Sequence, residues 1–189
     1  EGVLLGGREG AEAACATAVH NAWERGSRSS GECQSDIAAC QAVVLHTLRK
    51  EPHTYDKATG LLRMQTHGER LVVPACGTTL SVAVLIPHHP STFSWVGDSL
   101  GVLVRKDGTT FMALGSAHNV HDTQERQRMR REGAKTDGKY FEYTAGGSKM
   151  HIAVSRTLGH AGHSALLQTP DVVHFTPLPG DRVALATDG

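Results

Sequence analysis

No charge of one sign dominates this chain: 19 Lys and Arg stand against 19 Asp and Glu, a formal net charge of +0 over 189 residues. That balance excludes a protein whose main task is to hold nucleic acid by bulk charge. Long hydrophobic runs are missing as well. None approaches the ~18 residues that crossing a bilayer requires, so no membrane-spanning helix is predicted. The start, Glu1-Gly2-Val3-Leu4-Leu5-Gly6-Gly7, lacks the charged and apolar regions of a signal peptide. Cysteines are few: Cys15, Cys33, Cys40 and Cys76 form neither a C-x-x-C pair nor a zinc-ligand spacing. Reduced thiols and an intracellular location, cytosol or organelle matrix, are expected. No repeat and no low-complexity segment is present, and the length suits one domain with its own core.

What is present changes character along the chain. Residues 10–25 are rich in alanine (Ala11, Ala13, Ala14, Ala16, Ala18, Ala22) and predict a helix. After a Gly/Ser break, Ile37, Cys40, Val44 and Leu48 recur at helical spacing and predict a second helix, capped by Ser35 and stopped by Pro52. Residues 51–75 read as connection. The β-branched, apolar run Leu80–Ile86 predicts a strand buried on both faces, with further strands over 92–96, 102–105, 152–154 and 183–186. Asp107-Gly108 is the strongest hairpin signal. A polar helix is expected over 122–132, with Asp122-x-x-Glu125 as capping box, Gly133 as stop, and Met129 as its single apolar residue. Residues 135–149 read as an exposed loop or flap. Helices over 1–50 followed by strands over 77–189 argue an α+β fold with antiparallel sheets, in a single domain over 1–189.

The twelve histidines include His88-His89, His118-x-x-His121 and His160-x-x-His163, which have the look of metal pairs. None has a carboxylate or cysteine partner at a ligating spacing, so surface or loop histidines are expected. Arg126, Arg128, Arg130, Arg131 and Lys135 form the one locally basic segment, with Tyr140, Phe141 and Tyr143 close behind. They could contact RNA or a partner, although Glu125 and Glu132 interrupt the run and a solvated helix face is the plainer account.

Five blocks, in order, carry a resemblance. They are Gly77-Thr78-Thr79; Trp95-Val96-Gly97-Asp98-Ser99; His118 with Glu125, Arg128 and Gly133; Ala153-Val154-Ser155-Arg156-Thr157-Leu158-Gly159; and Pro170-Asp171-Val172 followed by Asp181-Arg182-Val183-Ala184-Leu185-Ala186-Thr187-Asp188-Gly189. From residue 77 onward the chain resembles the metal-dependent protein phosphatases of the PPM, or type 2C, family. The resemblance implies an αββα sandwich of two antiparallel sheets flanked by helices, of which this chain is a part, incomplete at both ends. It also implies a pair of Mg2+ or Mn2+ ions activating water against phosphoserine or phosphothreonine. Asp188 with Gly189 matches a core metal aspartate, and Asp98 matches the aspartate of a weaker metal position.

The first metal motif does not match. Laid over it, Leu5 stands at the bridging aspartate, Gly6 follows, and Gly7 stands at the general-acid histidine, with Arg8 and Glu9 in place of glycines. Leucine offers a cation no lone pair, and arginine adds positive charge beside it. Ala117 and His160 likewise replace family aspartates. The expectation is a pseudophosphatase, a binding or scaffold subunit of a larger protein or ribonucleoprotein assembly, with no cofactor. The alternative is an active Ser/Thr phosphatase with an atypical Mg2+ or Mn2+ site.

Overall fold

The computed structural model describes residues 7–25, 29–48, 53–55, 62–65, 71–72, 77–86, 89–145, 148–160 and 164–187. Two helices, α1 (Gly7–Arg25) and α2 (Ser30–Leu48), open the chain and pack on each other. Alanines make the close approach: Ala14 and Ala18 are buried against Ile37, Cys40 and Val44. The Cys40 thiol donates to the Ala14 carbonyl at 3.5 Å, and burial pushes its pKa up to about 11, which leaves it unreactive. The helix start differs from expectation. Ser35 lies inside α2, and Ser29 is the cap: its Oγ accepts from the Glu32 N–H at 3.3 Å while Glu32 Oε2 accepts from the Ser29 N–H at 2.7 Å. This is the reciprocal capping box, Ser29-x-x-Glu32.

Residues 51–75 are more than connection: β1 (His53–Tyr55), β2 (Leu62–Gln65) and β3 (Leu71–Val72) form an antiparallel three-stranded sheet. Next come β4 (Gly77–Thr78), β5 (Leu80–Val84), β6 (Ser91–Val96), β7 (Leu100–Val104) and β8 (Phe111–Ala113). The turn at Asp107-Gly108 closes the β7–β8 hairpin, with Gly108 at φ +70° and Asp107 Oδ1 accepting from the Thr109 and Thr110 N–H groups. The third helix, α3 (Thr123–Arg131), is capped by the Asp122 side chain and ends at Gly133.

Beyond it, residues 135–149 are not an exposed loop. Their described part carries β9 (Lys135–Thr136), β10 (Phe141–Ala145) and the start of β11 (Ser148–Ile152), an antiparallel sheet that buries Phe141 and Tyr143 against Met129. The physical reason is alternation: Phe141 and Tyr143 point inward, whereas Glu142 between them pairs outward with Lys149. Last come β12 (Leu158–Gly159), β13 (Asp171–Phe175) and β14 (Arg182–Ala186).

Two sheets organise the centre, β13-β6-β5 and β14-β7-β8. Between them lie Phe93, Trp95, Leu103, Leu114 and Phe175. The Phe93 and Trp95 rings stack at 5.0 Å, and each such buried side chain contributes roughly 2–3 kcal/mol. The strand buried along its whole length is β6, not β5. As the middle strand, β6 is covered on both faces, whereas β5 is, among the described residues, an edge strand in which only Leu80 is buried. The opposite side of β5 meets α1 through Leu80, Val82 and Ala18. One long-range clamp fixes α2 to β12: Gln41 Oε1 accepts from the Gly159 N–H at 2.6 Å and its Nε2 donates to the Gly159 carbonyl at 3.2 Å. His160, at φ +44°, follows that clamp. Among the described residues, no helix is long and apolar enough to cross a membrane.

Candidate functional site

Six of the motif residues, His118, Glu125, Arg128, Ser155, Arg156 and Asp171, converge on one ionic network. Asp122 caps α3 and so fixes the first turn, which aims Glu125 inward, where it is buried. Its Oε1 accepts from Arg156 Nη2 at 2.8 Å and Nε at 3.1 Å; its Oε2 accepts from Arg128 Nη2 at 2.9 Å and from Ser155 Oγ at 2.5 Å. Burial alone would push the Glu125 carboxyl up. The bonds from Arg156, Arg128 and Ser155 outweigh it and hold its pKa at about 2. Arg128 also donates to the Ala165 and Ser155 carbonyls, so it ties the helix to the segments on both sides of β12.

Arg156 reaches a second carboxylate. Its Nη1 donates to Asp171 Oδ1 at 2.7 Å, and His118 Nε2 lies 3.2 Å from Asp171 Oδ2. The other ring nitrogen of His118 accepts from the Gly97 N–H at 3.1 Å, so the proton sits on Nε2 and the imidazole is neutral. Burial, reinforced by Arg156, lowers the His118 pKa, and Asp171 and Glu125 restore only part of it. Burial works against ionisation of Asp171, yet bonds from His118 and Arg156 hold its pKa below the usual carboxylate range. The imidazole stacks on Trp95 at 5.6 Å, and the indole N–H donates to the Ser116 carbonyl at 2.8 Å.

The expected surface histidines therefore divide. His118 and His160 are buried, while His89 and His121 are exposed. His118 is inside because it supplies an acceptor to a buried amide and a donor to a carboxylate, which no apolar residue can do. His88 and His163 lie outside the described residues. In the basic segment, Arg128 is turned inward, Arg126 donates to the Val120 carbonyl at 3.5 Å, and Arg130 and Arg131 are exposed. The α3 helix is thus not a merely solvated one: its inner face carries Met129 and Glu125.

Asp98 lies in the turn between β6 and β7, beside Gly97 at φ +111°. Ser99 stabilises that turn, its Oγ 2.9 Å from Thr79 Oγ1 and its carbonyl accepting from Ser81 Oγ at 2.7 Å. Gly7 opens α1. Leu5, Gly6, Asp188, Gly189 and Cys76 lie outside the described residues. Among the described residues, no three His, Cys, Asp or Glu side chains are grouped to hold a metal ion, and Asp98 belongs to no such group. The carboxylates that do come together, Glu125 and Asp171, are engaged by two arginines and a histidine. That donor set binds carboxylates inside the fold and does not fit a pair of hard divalent cations.

The model of the family described as Protein phosphatase 2C matches residues 6–189. No curated protein matches the chain. Among solved structures, a serine-threonine phosphatase 2C from Toxoplasma gondii is similar at 15% identity and TM-score 0.61, over 97% of this chain and 64% of its own length. A sex-determining protein of C. elegans is similar at 14% identity and TM-score 0.58, over 91% of this chain and 37% of its own. PppA, a regulatory component of T6SS in Pseudomonas aeruginosa, is similar at 16% identity and TM-score 0.53, over 100% of this chain and 62% of its own. The chain thus spans less than two thirds of each of these relatives. The two central antiparallel sheets, the helical pair on one of them and the match over 6–189 agree: this chain belongs to the protein phosphatase 2C family.

Proposed function

We propose that this phosphatase 2C-type chain acts by binding rather than by hydrolysis, as a pseudophosphatase-type subunit of a larger assembly. The observation that carries the reading is the first metal motif, where Leu5 and Gly7 stand at the positions of a metal aspartate and a general-acid histidine. Function belongs to sites and not to folds, and a two-ion site that loses a bridging carboxylate loses the charge that holds both ions. The remaining motif residues support the same reading. Ser155, Arg156, Glu125 and Arg128 bond to one another, which is structural work and leaves no arginine of the set turned toward a phosphate. The partner is a protein rather than RNA: with Arg128 engaged inside, only Arg130 and Arg131 of the α3 arginines stay exposed, and Glu132 follows them directly.

The test is hydrolysis of a phosphothreonine peptide by the full natural chain with millimolar Mn2+, beside a Leu5→Asp/Gly7→His variant. The expected result is no turnover by the natural chain. Metal-dependent turnover that Asp188→Asn abolishes would overturn the reading and make the chain a Mg2+- or Mn2+-dependent Ser/Thr phosphatase.

A further inference from the structure

Over the Trp95 indole, the fold leaves a slot of about 540 Å3, within the range of ligand pockets. Two segments form its rims: residues 113–116, which run on from the end of β8, and residues 170–173, which are Pro170 and the first three residues of β13. Each rim contributes four consecutive residues. Successive side chains of an extended chain point to opposite faces, so four in a row can line one slot only if the segment presents its edge. The topology agrees, because β13 pairs with β6 on one side and, among the described residues, with nothing on the other. Every second residue of such an edge strand turns its N–H and C=O away from the sheet. On the facing rim, the Gly115 amide donates to no described residue, and its backbone lies so flat on Trp95 that an added Cβ would stand 2.5 Å from the indole. The indole is therefore the floor. Ser30 and Gln34, one turn apart on the exposed face of α2, close one side.

Charge in the slot is of one sign. Asp171 is the sole ionisable residue among the described residues that line it, and its side chain is 44% exposed. Arg156 and His118 occupy one site on each of its oxygens, whereas a carboxylate has roughly four acceptor sites, so it has capacity left on its open side.

We infer that this slot binds an extended polypeptide segment as an added strand on the free edge of β13, with a Lys or Arg side chain of that segment on Asp171. Main-chain bonds to the rims supply the affinity, and the carboxylate sets register and charge preference. The inference goes beyond the binding role proposed above and stands whether or not the chain hydrolyses phosphate esters.

The probe is a fluorescein-labelled peptide of alternating Thr and Val ending in Lys, titrated against the full chain by anisotropy. Saturable binding is expected, with whichever of the Val172 and Val173 amides faces the free edge slowed in hydrogen exchange. Gln34→Trp, which fills the slot from an exposed helix position without touching the core, should weaken binding at least tenfold, as should Ser30→Arg, which sets a cation against the peptide's own. Replacing the peptide Lys by Glu, or N-methylating alternate backbone amides, should weaken it similarly. No saturation at millimolar peptide, or binding indifferent to N-methylation or to both variants, would overturn the slot assignment. A chain that hydrolyses phosphopeptide and also binds this probe leaves the slot standing, and one that does neither removes only the slot.

Discussion

Glu125 is the residue on which Arg128, Ser155 and Arg156 converge, and its burial makes those bonds mutually dependent. Replacing it by Gln removes the negative charge and leaves two arginines under-compensated inside the fold. We expect Glu125→Gln to cost about 3–5 kcal/mol in urea denaturation, as when one partner of a buried ion pair is removed. The same network makes the chain acid-labile in two stages. The folded state lowers the His118 pKa, so the unfolded chain binds the extra proton first. This contribution is complete above about pH 6.5 and fades as the pH falls below that value. Protonation would also set an N–H on Nδ1 against the Gly97 N–H. Glu125, held at about 2 against an ordinary 4.5, adds a second loss as the pH falls from 4.5 toward 2, on the order of 3 kcal/mol. Calorimetric melting between pH 7 and 3 should show both stages, and His118→Phe should flatten the first and keep the second. A melting temperature unchanged from pH 7 to 5 in the natural chain would contradict this account of His118.

At the scale of elements, the start of α2 depends on a single residue pair. Ser29→Ala removes the Oγ that accepts from the Glu32 amide, and should lower stability by about 1 kcal/mol, read as a downward shift of the denaturation midpoint with no change in slope. The elements also show what the residues announce by themselves. The β7–β8 hairpin and the cap of α3 were legible because each depends on bonds within four residues of chain, Asp107 to Thr110 and Asp122 to Glu125. The α2 cap was equally local, and Ser29-x-x-Glu32 was the signal that pointed to it rather than to Ser35. Phe141-Glu142-Tyr143 alternates as a strand should, but the glycines and charges around it suggest a loop when the apolar cluster under α3 is out of view. The short strands over 53–72 are held by pairing with one another and carry little pattern of their own. In the candidate site the motif residues were legible and which of them pair was not. No spacing announces that His118 meets Asp171 53 residues away, or that two rims 57 residues apart in sequence would frame a slot.

For the whole molecule, metal is the discriminating ligand. An ion that binds only the folded chain raises its stability by RT ln(1 + [L]/Kd), so a retained site with micromolar affinity would add about 4 kcal/mol at millimolar Mn2+. We expect the melting temperature to move by less than about 1 °C on addition of millimolar Mn2+ or of chelator. A rise of several degrees would show that residues outside the described segments still assemble a site.

The clamp of Gln41 on Gly159 bears on time rather than on affinity. Its two partners are 118 residues apart, and closing a loop of that length costs roughly 4 kcal/mol of chain entropy before any bond is returned. The helical pair and the hairpins can form well before that, so the clamp belongs to the last part of the folding reaction. Gln41→Ala should therefore leave the refolding arm of a chevron plot where it is and steepen the loss of native chain on the unfolding arm. A slower refolding arm would place the clamp in the nucleus instead. With the clamp late, one glutamine amide governs how long the folded chain survives and has no part in how fast it is made.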